Sequence, residues 1–323
     1  MNPNDMKRRH ALRLAATAAL AGAAGAGNAA TTAAKPAIRP LAFNDPIWNR
    51  EMSARLEGDA DPKKFVYGCV SGMVNGVRDG ERVRPLMRFE VFSTIRVVKQ
   101  PDGSYHRLCR EVVFYRNLET GKLMDEWDNP YTGERVKVVD VANDPFNYII
   151  SDFFPEPPRY GGLNKEQAPP RRPFIRNWMM LDEETVGLES DIHLYYPSAL
   201  KPEKWPRESP GAMSRVSELF RYAIRRADLE NPDLGHIPHH GVWNRITPWL
   251  PWMLMDQAPG HIVYSGLFGS RKSLDAYPKD IIDRVRERYP TYLVAPEKME
   301  GTSLSSLERY ALEQKPAAPR VKP

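Results

Sequence analysis

Turn signals return at regular intervals along this chain, between runs of alternating apolar and β-branched residues, and they constrain the fold more than any other feature. Arg78-Asp79-Gly80, Pro101-Asp102-Gly103, Thr120-Gly121 and Asn129-Pro130-Tyr131-Thr132-Gly133 each break such a run. Glycine reaches positive φ without steric cost and proline fixes φ near the turn value, so these clusters reverse the chain. The runs between them are Phe65–Val77, Arg84–Lys99, Tyr105–Arg116, Lys122–Trp127 and Glu134–Val141. In Arg84–Lys99 the residues Phe89, Val91, Ile95 and Val97 fall at even spacing, the period of a strand. The spacing predicts consecutive antiparallel hairpins. The 30 prolines suit strands joined by rigid turns better than a bundle of helices.

The pattern resumes in the second half. Phe174–Leu181 and Val186–Tyr196 flank Asp182-Glu183-Glu184, and Ala258-Pro259-Gly260 joins Trp243–Met255 to His261–Leu267. Arg215–Leu229 reads two ways. Val216, Leu219, Phe220, Ala223, Ile224 and Ala227 lie on a helical stripe, whereas Glu218, Phe220 and Tyr222 alternate as in a strand. Helices are expected at Phe43–Arg55, with Asn44 or Asp45 as cap and Pro46 in the first turn, at Pro278–Tyr289 and at Ser303–Leu312. Phe154–Pro173 reads as a loop. The predicted fold is mainly β, an antiparallel meander curled into a lipocalin-like barrel with peripheral and C-terminal helices. It occupies one domain over 43–313, followed by a disordered Pro- and Lys-rich tail over 314–323.

The N-terminus carries a different message. Lys7-Arg8-Arg9-His10-Ala11-Leu12-Arg13 precedes a stretch of Ala and Gly that reaches Ala30. A basic segment, a weakly apolar segment and small residues at a cleavage site (Ala24-Gly25-Ala26) make a secretory signal. The paired arginines point to twin-arginine export, hence to the periplasm and to the twin-arginine translocase as a partner during transit. Ala11 departs from that pattern, which places a bulky apolar residue there. The signal is assigned to 1–30 and a linker to 31–42. Lys7, Arg8, Arg9 and Arg13 against Asp5 supply most of the net charge of +5. No basic stripe remains for nucleic acid, and no later apolar run is long enough for a membrane anchor.

Candidate chemistry sits in three places. The strand Tyr105–Arg116 is mixed on both faces. Glu111, with Arg107 and Tyr115 on the same face, is a candidate general acid or base tuned by a cation. A cross-strand ion pair on a wet face is the plainer alternative. The segment from Asp233 through His236 to His239 and His240 offers His239 as a catalytic imidazole. It lacks the helical spacing of a metal motif, and no metal or cofactor is assigned. The run from Trp243 to Met253 is the densest aromatic cluster, with Trp243, Arg245, Trp249 and Trp252 as a candidate ligand wall. Cys69 and Cys109 are the only cysteines and read as small buried side chains, with a disulfide as the alternative.

Glu119-Thr120-Gly121-Lys122, Trp127-Asp128-Asn129-Pro130-Tyr131-Thr132-Gly133-Glu134, Asn143-Asp144-Pro145 and the run from Trp243 to Met253 resemble a bacterial and fungal family, domain of unknown function 1838. The resemblance covers roughly Phe43 to Ala311. It agrees with the twin-arginine signal that members often carry, and it implies no reaction and no catalytic residues. The residues themselves support a periplasmic protein that encloses a small apolar or aromatic molecule. Conversion without a cofactor, as by a lyase, isomerase or hydrolase, is the reaction class they allow. A non-catalytic carrier and a metal-assisted enzyme built on His236–His240 are the alternatives.

Overall fold

The computed structural model describes residues 38–143, 147–155, 170–299 and 303–320. The predicted signal at 1–30, with Arg8 and Arg9, lies outside the described residues, as do most of the predicted loop at Phe154–Pro173 and Asp144-Pro145. One antiparallel sheet organises the chain, in the order β6-β3-β2-β1-β12-β11-β10-β9-β8, with β7 also on β3. Its long strands are β1 (Val66–Val77), β2 (Arg84–Lys99), β3 (Tyr105–Arg116), β9 (Thr185–Pro197), β10 (Met213–Arg225), β11 (His239–Thr247) and β12 (His261–Arg271). Short strands β6 (Val141–Asn143), β7 (Tyr148–Ile150) and β8 (Asn177–Met180) form the edges. A separate hairpin pairs β4 (Glu126–Asp128) with β5 (Arg135–Lys137). The predicted strands after Gly121 and Gly133 thus shrink to this small hairpin.

The sheet is mainly β and antiparallel, as the sequence predicts, but it does not close into a barrel. Among the described residues β6 and β7 at one edge do not pair with β8 at the other. Two helices stand in that gap. Helix α1 (Pro46–Glu57) is capped by Asp45, whose Oδ1 accepts from Ile47 N, and begins with proline, which loses no helical hydrogen bond there. From α1, Asn49 Oδ1 accepts from Arg176 N and from Trp178 Nε1 beside the β8 edge. On its other side Glu51 accepts from Tyr105 Oη at 2.6 Å, and Glu57 pairs with Arg107 at 2.5 Å and accepts from Tyr148 Oη. The helix therefore fastens both edges at one end of the gap.

The ambiguous segment Arg215–Leu229 becomes β10 followed by the short helix α2 (Arg226–Glu230). Both of its neighbours are strands in full register, so pairing decides against the helical stripe. Two further helices follow, α3 (Lys279–Arg288) and α4 (Ser306–Glu313). Helix α3 lies on the outer face, where Ile281, Ile282 and Val285 pack on Phe92, Val112 and Phe114. This explains the mixed pattern of β3, since both of its faces are covered and neither faces open water.

The inner face holds two apolar clusters. One joins Trp48, Met52 and Leu56 of α1 to Trp178, Leu188 and Ile224. The other gathers Phe89, Tyr115, Trp243, Trp252 and Tyr264. The aromatic rings crowd over strands that carry glycine. A Cβ on Gly266 would meet Ser71 O at 2.8 Å and the Phe89 ring at 2.9 Å, so any side chain there forces the layers apart. Cys69 shares a face with Phe92 and Cys109 shares the opposite face with Ile95, so the sheet itself keeps the two thiols apart.

Residues 314–320 are not loose. Ala317 N donates to Glu208 Oε1, Arg207 donates to Ala318 O, and Arg320 pairs with Asp256 at 2.8 Å and with Glu134. The predicted disordered tail is thus a fastened strap as far as Arg320, because its few polar groups meet a buried carboxylate and a cluster of opposite charges. The described residues, this strap included, belong to one compact unit.

Candidate functional site

A cavity of about 230 Å³ lies between the inner face and α4. Strand β3 contributes Arg107, Glu111 and Tyr115, and β11 contributes Trp243 and Arg245. Trp249 and Trp252 come from the segment after β11. Here the prolines end the strand, Pro251–Met253 forms a 3-10 turn, and Leu254, Asp256 and Gln257 take positive φ. That geometry brings the indole of Trp252 within 5.4 Å of the Tyr115 ring, centroid to centroid. Leu307, Arg309 and Tyr310 of α4 close the remaining side. Ser305 and Glu308 cap this helix reciprocally, at 3.2 and 2.7 Å.

The cavity holds two carboxyl groups in different states of restraint. Glu218 of β10 is buried and accepts from Trp243 Nε1 at 3.0 Å, and Arg245 Nη1 lies 3.3 Å from its other oxygen. Glu111 has no hydrogen-bond or ion-pair partner among the described residues, and the surface it retains faces the cavity. Burial, and then the Glu218 charge, push the Glu111 carboxyl up to about 7, while Arg107 and Arg245 act in the opposite direction. It is therefore poised to hold or release a proton near neutral pH.

Two phenols face the same space. Tyr115 Oη and Tyr264 Oη lie 2.9 Å apart. Burial raises both hydroxyls, Tyr264 to about 12, so both are protonated. Two hydroxyl protons share one hydrogen bond, and the second proton has no acceptor among the described residues.

Of the residues singled out in the sequence, the structure brings Arg107, Glu111, Tyr115, Trp243, Arg245, Trp249 and Trp252 to one cavity. His239 is placed elsewhere. Its Nδ1 is 3.0 Å from Ile237 O and its ring packs among Tyr222, Phe268 and His236, and it does not line the cavity. Burial pushes it down to about 4, so the imidazole is neutral there. His236 is held by Arg55 O, Gly58 O and Ser270 Oγ. Among the described residues no three His, Cys, Asp or Glu side chains are grouped as for a metal ion, so the metal-assisted alternative has no donor set at His236–His240.

Sequence reasoning missed Glu218, Tyr264 and the α4 wall. The signal for Glu218 was present, a carboxylate between Val216 and Phe220 on one face of an alternating segment. Its meaning depended on the strand assignment that the helical stripe obscured.

A family model described as "Protein of unknown function (DUF1838)" matches residues 64–311. A search of curated proteins found no match.

Proposed function

This chain belongs to the DUF1838 family of proteins of unknown function, and from that premise we propose that it is an exported protein that binds a small, largely apolar or aromatic molecule in its interior cavity and moves a proton on it with Glu111. The observation that carries the reading is the contrast between the two carboxyl groups. Glu218 is locked by Trp243 and Arg245, whereas Glu111 lines the cavity with no hydrogen-bond or ion-pair partner among the described residues. A buried carboxyl left without a partner costs stability unless something else occupies the space beside it. Aromatic walls with a few placed polar groups are the usual make-up of a small-molecule site. Export is supported by Arg8-Arg9 and the Ala- and Gly-rich stretch behind them.

Native mass spectrometry on protein expressed from the full-length gene and released from the periplasm tests location and binding together. The expected result is a mature chain lacking the signal, carrying one small molecule that is lost on denaturation. Recovery of empty, full-length protein from the cytoplasm alone would refute both parts.

A further inference from the structure

We infer that the cavity takes an enolisable carbonyl compound, a ketone or conjugated enone with an apolar body, and shifts a proton from carbon to carbon through the enolate. The inference rests on the proposed binding role and names the chemistry of its ligand. Two unmet demands along the cavity lining carry it. Among the described residues one hydroxyl proton of the Tyr115–Tyr264 pair has no acceptor, which calls for a ligand oxygen that accepts. Among the described residues no hydrogen-bond donor is paired with Glu111, which calls for a ligand proton within its reach. A carbonyl oxygen and the acidic C–H beside it meet both demands in one molecule. A carboxylate offers acceptors alone and an ammonium ion donors alone, so each meets only one. The apolar lining of Val70, Val91, Val113 and Phe220 favours a body without charge.

The step balances without a redox partner. The Glu111 carboxylate takes the proton from the carbon beside the carbonyl. The C–H electron pair forms the new C=C bond, and the carbonyl π pair moves to oxygen, which accepts the tyrosine hydrogen bond. The Glu111 carboxyl then returns its proton to the same carbon or to a conjugated one, and the carbonyl re-forms. Donors fixed before the reaction stabilise the developing oxyanion without reorganisation. Glu218 is a positioning residue, since it holds Trp243 and Arg245 and never needs to touch the ligand.

The test uses 2-tetralone as probe, in deuterated buffer, with two readings on the same samples. Quenching of tryptophan emission reports binding, and proton NMR reports deuterium uptake beside the carbonyl, above the buffer rate at the same pH. Wild-type protein is expected to bind and to raise uptake at least about tenfold, with a rate that climbs through pH 7 as Glu111 ionises. Glu111→Gln should bind and return to the buffer rate. The double variant Tyr115→Phe, Tyr264→Phe should bind and lose most of the acceleration, falling to within about twofold of the buffer rate. Binding without uptake overturns the proton-transfer inference and leaves the binding reading intact. Uptake that persists in Glu111→Gln, or is unchanged in the double variant, overturns the assignment. If 2-tetralone fails to bind while the uncharged dye N-phenyl-1-naphthylamine does, the carbonyl class is wrong and the cavity reading stands. If neither binds, the binding reading itself falls.

Discussion

Glu111 carries the energetic tension of this fold at the residue scale. Its ordinary value is 4.5 and the fold raises it to about 7. A carboxyl raised on folding stabilises the unfolded chain relative to the folded one once it ionises. The native state is therefore unpenalised below about pH 4.5, loses stability as pH rises from there to about 7, and carries a fixed penalty above that. That penalty is of order 3 kcal/mol at most. Glu111→Gln, which keeps the shape and removes the charge, should therefore match wild type in urea denaturation at pH 4.5 and exceed it at pH 8 by up to about 3 kcal/mol. An equal offset at both pH values would show that Glu111 is not under this strain. The residue was legible in the sequence because a charge on a strand with two mixed faces must meet either solvent or a cavity. Its counterpart Glu218 was not legible, because its charge matters through residues on other strands, a pairing that no local pattern encodes.

The fold depends on how the gap in the sheet is filled at the scale of elements. Helix α1 was readable from Asp45 and Pro46, but its role as a splint was not. That role rests on Asn49, Glu51 and Glu57, polar residues that look like an ordinary solvated face until the two edges are in place. Helix α4 fills the other end and has no buried residue of its own. Tyr310 packs on Trp205, and the strap behind the helix is anchored where Arg207, itself paired with Glu134 and Asp256, donates to Ala318 O and where Arg320 pairs with Asp256. The same charges steady the left-handed run at Leu254, Asp256 and Gln257 below the indoles. Deleting 314–323 should leave the sheet folded, lower stability by about 1–3 kcal/mol and make tryptophan emission more accessible to acrylamide. Unchanged quenching would show that the strap does not govern access to the cavity.

At the scale of the molecule, alternation and turn residues made the hairpins legible from β1 to β3, at β8–β9 and at β11–β12, because period and punctuation are local, while β10 stayed open between helix and strand. Closure was misjudged. A meander of this length suggests a barrel, yet among the described residues the short edge strands β6 and β7 do not pair with β8, and helices stand between them. That substitution creates the cavity, since side chains on a helix and side chains on a sheet leave space that two paired strands would fill. The central claim is that this space is a binding site, and a cavity-filling substitution tests it most directly. Val113 lines the cavity beside Glu111 and Tyr115. Titration of wild type with the uncharged dye N-phenyl-1-naphthylamine should give saturable, one-to-one binding with enhanced dye emission, and Val113→Phe should abolish it while the protein unfolds as cooperatively as wild type. Equal binding by both proteins, or none by wild type, would contradict the account.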